Sequence, residues 1–263
     1  MRDLSEIRKM LRKRYNKTIW RQFIKALKEF KLLEENDKVA IGFSGGKDSI
    51  LLSFLFEELR SHSDFPFELC YISIDPGIKQ LDGTPTSSSL ELKRLAEEMK
   101  IDLHIFESDM FDFVKSTGIK SPCFLCSKIR RGFLYERAKE LGANKLALGH
   151  HMDDAIETIL MNVMYQGKYM TMMPKIKSKN FENISLIRPM YYIEESEIIR
   201  WAKGAEVESI RENCPLKDET VGARYDVKRM IESLSKEIPN FKKNVQKSAH
   251  NVYIDAVVDT KKE

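Results

Sequence analysis

The chain has 263 residues, of which 42% are apolar and 32% charged, and a formal net charge of +4. That length allows one substantial buried core with a small appendage. No run of 18 apolar residues occurs, which excludes a helical membrane span. Met1–Glu6 lacks the apolar stretch of a signal peptide, so a cytoplasmic protein is expected. Four cysteines in such a protein suit metal ligation or catalysis better than disulfides.

The charge is unevenly placed. Residues 1–31 carry eleven Lys/Arg against Asp3, Glu6 and Glu29, a net +8, so the remainder is about −4. A second basic stretch, Lys168 to Lys179, has four lysines and no acid. Such asymmetry suits a polyanion such as RNA, although either patch alone could be a solvated helix face.

In chain order, residues 4–31 predict one or two amphipathic helices, because Ile7, Leu11, Tyr15, Trp20, Phe23, Ile24, Leu27 and Phe30 recur at three- and four-residue steps. Strands are expected near 38–43, 68–74, 101–106 and 145–149, and helices near 48–60, 87–99, 124–141 and 153–166. This alternation predicts an α/β fold, a doubly wound parallel sheet with helices on both faces and helical extensions at both ends. A strand at 184–187 and a helix at 194–203, whose first turn holds Glu194, Glu195 and Glu197, continue it. The expected organisation is a basic helical extension (1–35), a nucleotide-binding domain with a cysteine site (36–215) and a helical extension (216–263).

Between the first strand and the following helix stands Ser44-Gly45-Gly46-Lys47-Asp48-Ser49. Strand, glycine loop and helix together converge backbone N–H groups on a phosphate at a helix N-terminus. The glycines permit a tight turn, and Lys47 adds a point charge for phosphate oxygens. A Walker A loop would need Gly at Ile41 and Ser or Thr at Asp48. Ile74 and Asp75, at the end of the second strand, fall where an adenosine would lie, although Asp75 also suits a turn before Pro76-Gly77.

Cys123 and Cys126 form a CxxC at the start of a predicted helix, followed by Arg130 and Arg131. A helix N-terminus and nearby cations favour thiolates. Cys214, before Pro215, offers a third, whereas Cys70 sits among apolar residues and is expected in the core. On spacing alone a redox pair, a zinc site completed by His150 or His151, and an iron–sulfur site all stay open.

The third constellation is Gly149-His150-His151-Met152-Asp153-Asp154, again at a strand end entering a helix. Gly149 permits close approach to a nucleotide, and His150 suits a polar contact with phosphate or substrate. Asp153 suits a helix cap, and Asp154 with Asp48 could hold magnesium on the phosphates.

Taken in order, these motifs resemble the tRNA 2-thiocytidine synthetase family of the PP-loop ATP pyrophosphatases. Tyr165-x-Gly167-Lys168, Met173-Pro174 and Ile187-Arg188-Pro189 extend the resemblance over roughly residues 20–215. It implies a homodimeric tRNA sulfurtransferase acting on cytidine 32 of the anticodon loop, with ATP and Mg2+ as cofactors. Its 4Fe-4S cluster would be held by Cys123, Cys126 and Cys214, leaving one iron open to sulfide from a cysteine desulfurase or from solution. It also implies an ATP site at residues 44–49 with Ile74, Asp75, Gly149, His150 and Asp154. Lys47, Asp48, Asp154 and Arg130 are the expected catalytic residues. The chain departs from the family after Cys214, at Pro215-Leu216-Lys217-Asp218-Glu219-Thr220, and at Tyr225–Arg229. Formation of 2-thiouridine, desulfuration, lysidine-type amine ligation and a non-catalytic ATP- and RNA-binding module are the competing readings.

Overall fold

The computed structural model describes residues 1–78, 88–119, 122–210 and 222–256. The chain opens with α1 (Leu4–Arg12), a π-helical turn (Asn16–Trp20) and α2 (Arg21–Glu29). Asp3 caps α1 by accepting from the Ser5 and Glu6 amides. The π turn inserts a residue into the helical phase. Ile19 and Ala26 therefore join Ile7, Leu11, Tyr15, Phe23 and Leu27 in the interior, while Trp20, Ile24 and Phe30 are only half-buried. The basic residues of this segment, Arg8 apart, lie on the exposed side.

Then follow β1 (Lys38–Gly42), α3 (Lys47–Arg60), β2 (Glu68–Asp75), α4 (Ser88–Met99), β3 (Leu103–Glu107), α5 (Met110–Ser116), α6 (Pro122–Glu140), β4 (Lys145–Ala147) and α7 (Met152–Gln166). The rest comprises β5 (Lys175–Lys177), β6 (Ser185–Ile187), α8 (Glu195–Gly204), α9 (Ala223–Glu237) and α10 (Phe241–Ser248). The expected strands and helices are present at slightly shifted bounds. Two short elements, α5 and β5, are additional.

The six strands form one sheet in the order β3-β2-β1-β4-β6-β5, parallel except for β5, which runs antiparallel to β6 at the edge. Alternation along the strands separates its two faces. Ala40, Cys70, Ile72, Ile74 and Leu146 face Leu134 and Ala138 of α6. Tyr71 points the other way and donates its hydroxyl proton to Glu57 of α3 at 2.6 Å. Helices thus cover both faces, as the unbroken apolar runs of the strands require. At the opposite end of the strands from the glycine loop, the buried Lys145 ammonium pairs with Asp37 at 3.5 Å, and Asn144 donates to Asp37 at 2.7 Å.

The chain divides into two compact units, Met1–His151 with Pro174–Asp218, and Met152–Met173 with Glu219–Glu263. The first contains the sheet. In the second, Met152 and Ile156 of α7 pack with Val227 and Ile231 of α9, flanked by Phe241 and Val245 of α10.

Candidate active site

Strand order reverses between β1 and β4: β2 and β3 continue on one side of β1, and β4 lies on the other. Ligands of open α/β sheets bind in the crevice at such a reversal, beyond the carboxyl ends of the strands. Two of the three sequence motifs leave the sheet there. Residues 43–46 leave β1, and residues 148–151 leave β4.

The first loop is ordered by its own side chains. Gly45 takes φ +73°, a conformation costly for other residues, and Gly46 caps α3. The Ser44 amide donates to Ser49 Oγ at 3.2 Å, and Ser49 Oγ donates to the Gly46 carbonyl at 2.9 Å. Ile210 closes the turn, donating its amide to the Gly45 carbonyl at 2.9 Å. The result is a glycine turn delivering backbone N–H groups at the start of a 14-residue helix, the geometry of an anion site.

Charge is concentrated on the next two residues. The Lys47 ammonium lies 3.1 Å from Asp48 Oδ2 and 3.2 Å from Glu195 Oε1 at the start of α8. Burial disfavours the ammonium, but Asp48 and Glu195 outweigh it and hold the lysine above its ordinary range. On the other side of Asp48, the buried His151 brings Nε2 within 3.9 Å of Oδ1. The β4 loop comes close because residue 149 is glycine: a Cβ there would stand 3.1 Å from the Asp48 carbonyl carbon. Residues 44–49, Gly149 and His151 thus share one site, and half-buried His150 lies in the same loop.

Asp75 is engaged locally. Its carboxylate accepts from the Gly77 amide at 2.9 Å and from the Ser89 hydroxyl, shaping the turn after β2. Ile74 is buried in the strand ahead of it.

Cys123 and Cys126 occupy the first turn of α6, three residues apart and so on one face. Cys123 is exposed and Cys126 partly so. Cys126 Sγ lies 4.0 Å from Met110 Sδ of α5. Two neighbouring thiols at a helix start fit two positions of a sulfur-ligated metal site. Cys214 lies outside the described residues, among which no cluster of three metal-ligating side chains occurs. Arg130, half-buried, lies one turn beyond Cys126. Cys70 is in the core, as expected.

In the second unit, Arg224 of α9 binds two carboxylates of α7, donating Nη2 to Asp154 and Nε to Glu157, each at 2.6 Å. Lys242 of α10 binds Asp153 at 2.6 Å. Asp154 belongs to a sequence motif, whereas Arg224, Lys242 and Glu195 stand outside all three motifs. Glu195 did leave a trace as one of the acids gathered in the first turn after Arg188-Pro189.

The PP-loop domain family matches residues 15–219 of the chain. A tRNA-cytidine(32) 2-sulfurtransferase of Syntrophotalea carbinolica is 34% identical over 230 residues, 87% of this chain and 86% of that protein. The enzyme of that name from Coxiella burnetii is 33% identical over 252 residues, 95% of each chain. The one from Geobacter sulfurreducens is 34% identical over 230 residues, 87% of each. Among solved structures, the U34-tRNA thiolase NcsA of Methanococcus maripaludis, determined with its 4Fe-4S cluster, superposes with a TM-score of 0.72 at 24% identity. It covers 92% of this chain and 82% of that one. That likeness shows the fold. With its phosphate loop and β4 loop meeting at the strand reversal, the chain belongs to the PP-loop domain family and, within it, to the family of the tRNA-cytidine(32) 2-sulfurtransferases.

Proposed function

We infer that the protein is an ATP-dependent tRNA sulfurtransferase that replaces the C2 oxygen of cytidine 32 by sulfur. The observation that carries this reading is the similarity to the cytidine(32) enzymes over nearly the whole chain, together with the glycine loop and CxxC helix that the chemistry requires. ATP binds with its pyrophosphate on the amides of residues 44–49 and the Lys47 ammonium. The C2 oxygen attacks the α-phosphate, the bond to the bridging oxygen breaks, and pyrophosphate leaves. Lys47 and the loop amides offset the charge that develops on that leaving group. Sulfide then adds at C2 and AMP departs with the original oxygen. Activation is needed because a ring carbonyl oxygen leaves poorly and AMP leaves well.

Magnesium characteristically takes one or two carboxylates plus phosphate oxygens. The half-exposed Asp48 carboxylate beside the phosphate loop suits that role, with Asp154 the second candidate from its motif. His150 and Arg130 are assigned to phosphate or substrate contact, and Ile74 and Asp75 to the adenosine side. Cys123, Cys126 and Cys214 would hold a 4Fe-4S cluster, which when bound supplies sulfide for the second step. Free sulfide, or persulfide sulfur from a cysteine desulfurase once a thiol reductant has supplied two electrons, is the sulfur source, and the enzyme works as a cytoplasmic homodimer on the tRNA anticodon loop.

The test is mass spectrometry of nucleosides from tRNA incubated anaerobically with reconstituted protein, ATP, magnesium and sulfide. A 2-thiocytidine with one AMP per sulfur is expected from the wild type. Cys123→Ser should lose iron and thiolation while keeping ATP affinity. Full thiolation by that variant would overturn the cluster assignment, and sulfur on another base would overturn the cytidine assignment.

A further inference from the structure

Along α6, beyond the cysteine turn, runs an open groove of about 640 Å³ between that helix, Phe113 of α5 and the β5–β6 hairpin. Its α6 wall is one face of the helix, from Leu125 to Tyr135, about 15 Å long. The floor is apolar and aromatic. Tyr135 and Phe181 stack at 5.6 Å between centroids and 12° between planes. The Phe181 amide donates to Ser178 Oγ at 3.0 Å, which fixes the hairpin turn carrying the ring.

The rim carries Lys128, Arg131, Lys177 and Lys179, all exposed, and none of the described residues lining the groove is acidic. Lysines on an edge strand such as β5 commonly guard against edge pairing. That accounts for Lys177, but not for Lys128 and Arg131 on a helix. Gly132 adds a separate observation. Glycine inside a helix costs roughly 1 kcal/mol against alanine, yet a Cβ at 132 would meet nothing within 4 Å. Internal packing does not demand glycine here; its effect is to widen the groove.

We propose that this groove binds a short single-stranded segment of the RNA substrate, its bases against the Tyr135–Phe181 aromatic floor and its phosphates on the four rim cations. An aromatic platform joined to cations without acids fits a ligand that is both planar and polyanionic, which is the make-up of unpaired nucleotides. The α6 wall of the groove starts at Leu125, which lies between Cys123 and Cys126 in the sequence. The proposal rests on the tRNA reading above.

The test measures tRNA affinity by filter binding over a salt series with the full-length holoprotein. Two variants are compared with wild type: Lys177→Glu/Lys179→Glu, and Gly132→Leu, which fills the groove with a strong helix former. Each should weaken tRNA binding about tenfold, and the lysine pair should also flatten the salt dependence by about two phosphate contacts. ATP affinity and iron content should stay at wild-type values. If wild type binds and thiolates tRNA and both variants bind it equally well, the groove assignment is overturned alone. If wild type binds no tRNA, the tRNA reading falls with it.

Discussion

The Lys47 ammonium and the Glu195 carboxylate stand 3.2 Å apart, although one opens α3 and the other opens α8. Glu195 holds the ammonium beside the phosphate loop while Asp48 holds it from the other side. Lys47→Ala should lower AMP formation by about 10²–10³-fold, the usual loss when a donor to developing charge is removed. Glu195→Gln should act differently. The ammonium is then left to Asp48 and competes with magnesium for that carboxylate, so half-maximal AMP formation should need more magnesium. An unchanged magnesium requirement would remove Glu195 from this role. Because the Lys47 pKa is raised, its charge is fully present below the ordinary lysine pKa and is lost only above it. ATP affinity should therefore show no Lys47-dependent step between about pH 6 and about pH 9.

Gly149 faces backbone, not a flexible side-chain tip. A Cβ there would lie 3.1 Å from the Asp48 carbonyl carbon and 3.2 Å from both its oxygen and its Cβ. Gly149→Ala should push the β4 loop off α3, costing about 1–3 kcal/mol of stability and weakening ATP binding more than tRNA binding. Thermal unfolding and nucleotide titration of the same sample would check both.

The other end of the sheet makes a separate prediction. Asp37 pairs with buried Lys145 and accepts from Asn144 Nδ2 and, at 2.7 Å, from the Glu34 amide. Asp37→Ala leaves the buried Lys145 ammonium with only the exposed Glu34 carboxylate, 3.4 Å away, and should cost about 3 kcal/mol in chemical denaturation. ATP affinity per folded molecule should be unaltered.

Glu157 gives a pH signature. Burial raises its pKa, and Arg224 opposes that only in part. With a folded-state pKa above the unfolded one, its contribution to stability is greatest below the ordinary glutamate pKa and falls as pH rises through the folded value. Glu157→Gln cannot ionise, so its stability relative to wild type should increase from about pH 4 to about pH 7. A parallel pair of pH–stability curves would refute this.

The helices and parallel strands were legible because each is set by local pattern: apolar runs of strand length, helical periodicity and glycine at turns. β5 was not legible. It is three residues with one apolar side chain, Ile176, and exists only because β6 offers an edge to pair with. α5 is seven residues long and buries only Met110 and Val114, four residues apart, too short a span for a period to emerge. The π turn leaves no compositional mark, so the three- and four-residue periodicity points to Trp20, Ile24 and Phe30, whereas the structure buries Ile19 and Ala26.

By itself the sequence determined the three motifs, their order and the α/β alternation that puts the glycine loop and the β4 loop at strand ends. These follow from short-range sterics and from the two- and 3.6-residue periods of burial. Only the tertiary structure decided which charges meet. Glu195 at Lys47, and Arg224 at Asp154 and Glu157, are pairings between segments distant in the chain. Coulomb attraction and burial select such neighbours once the strands have set their order, and no local pattern encodes them.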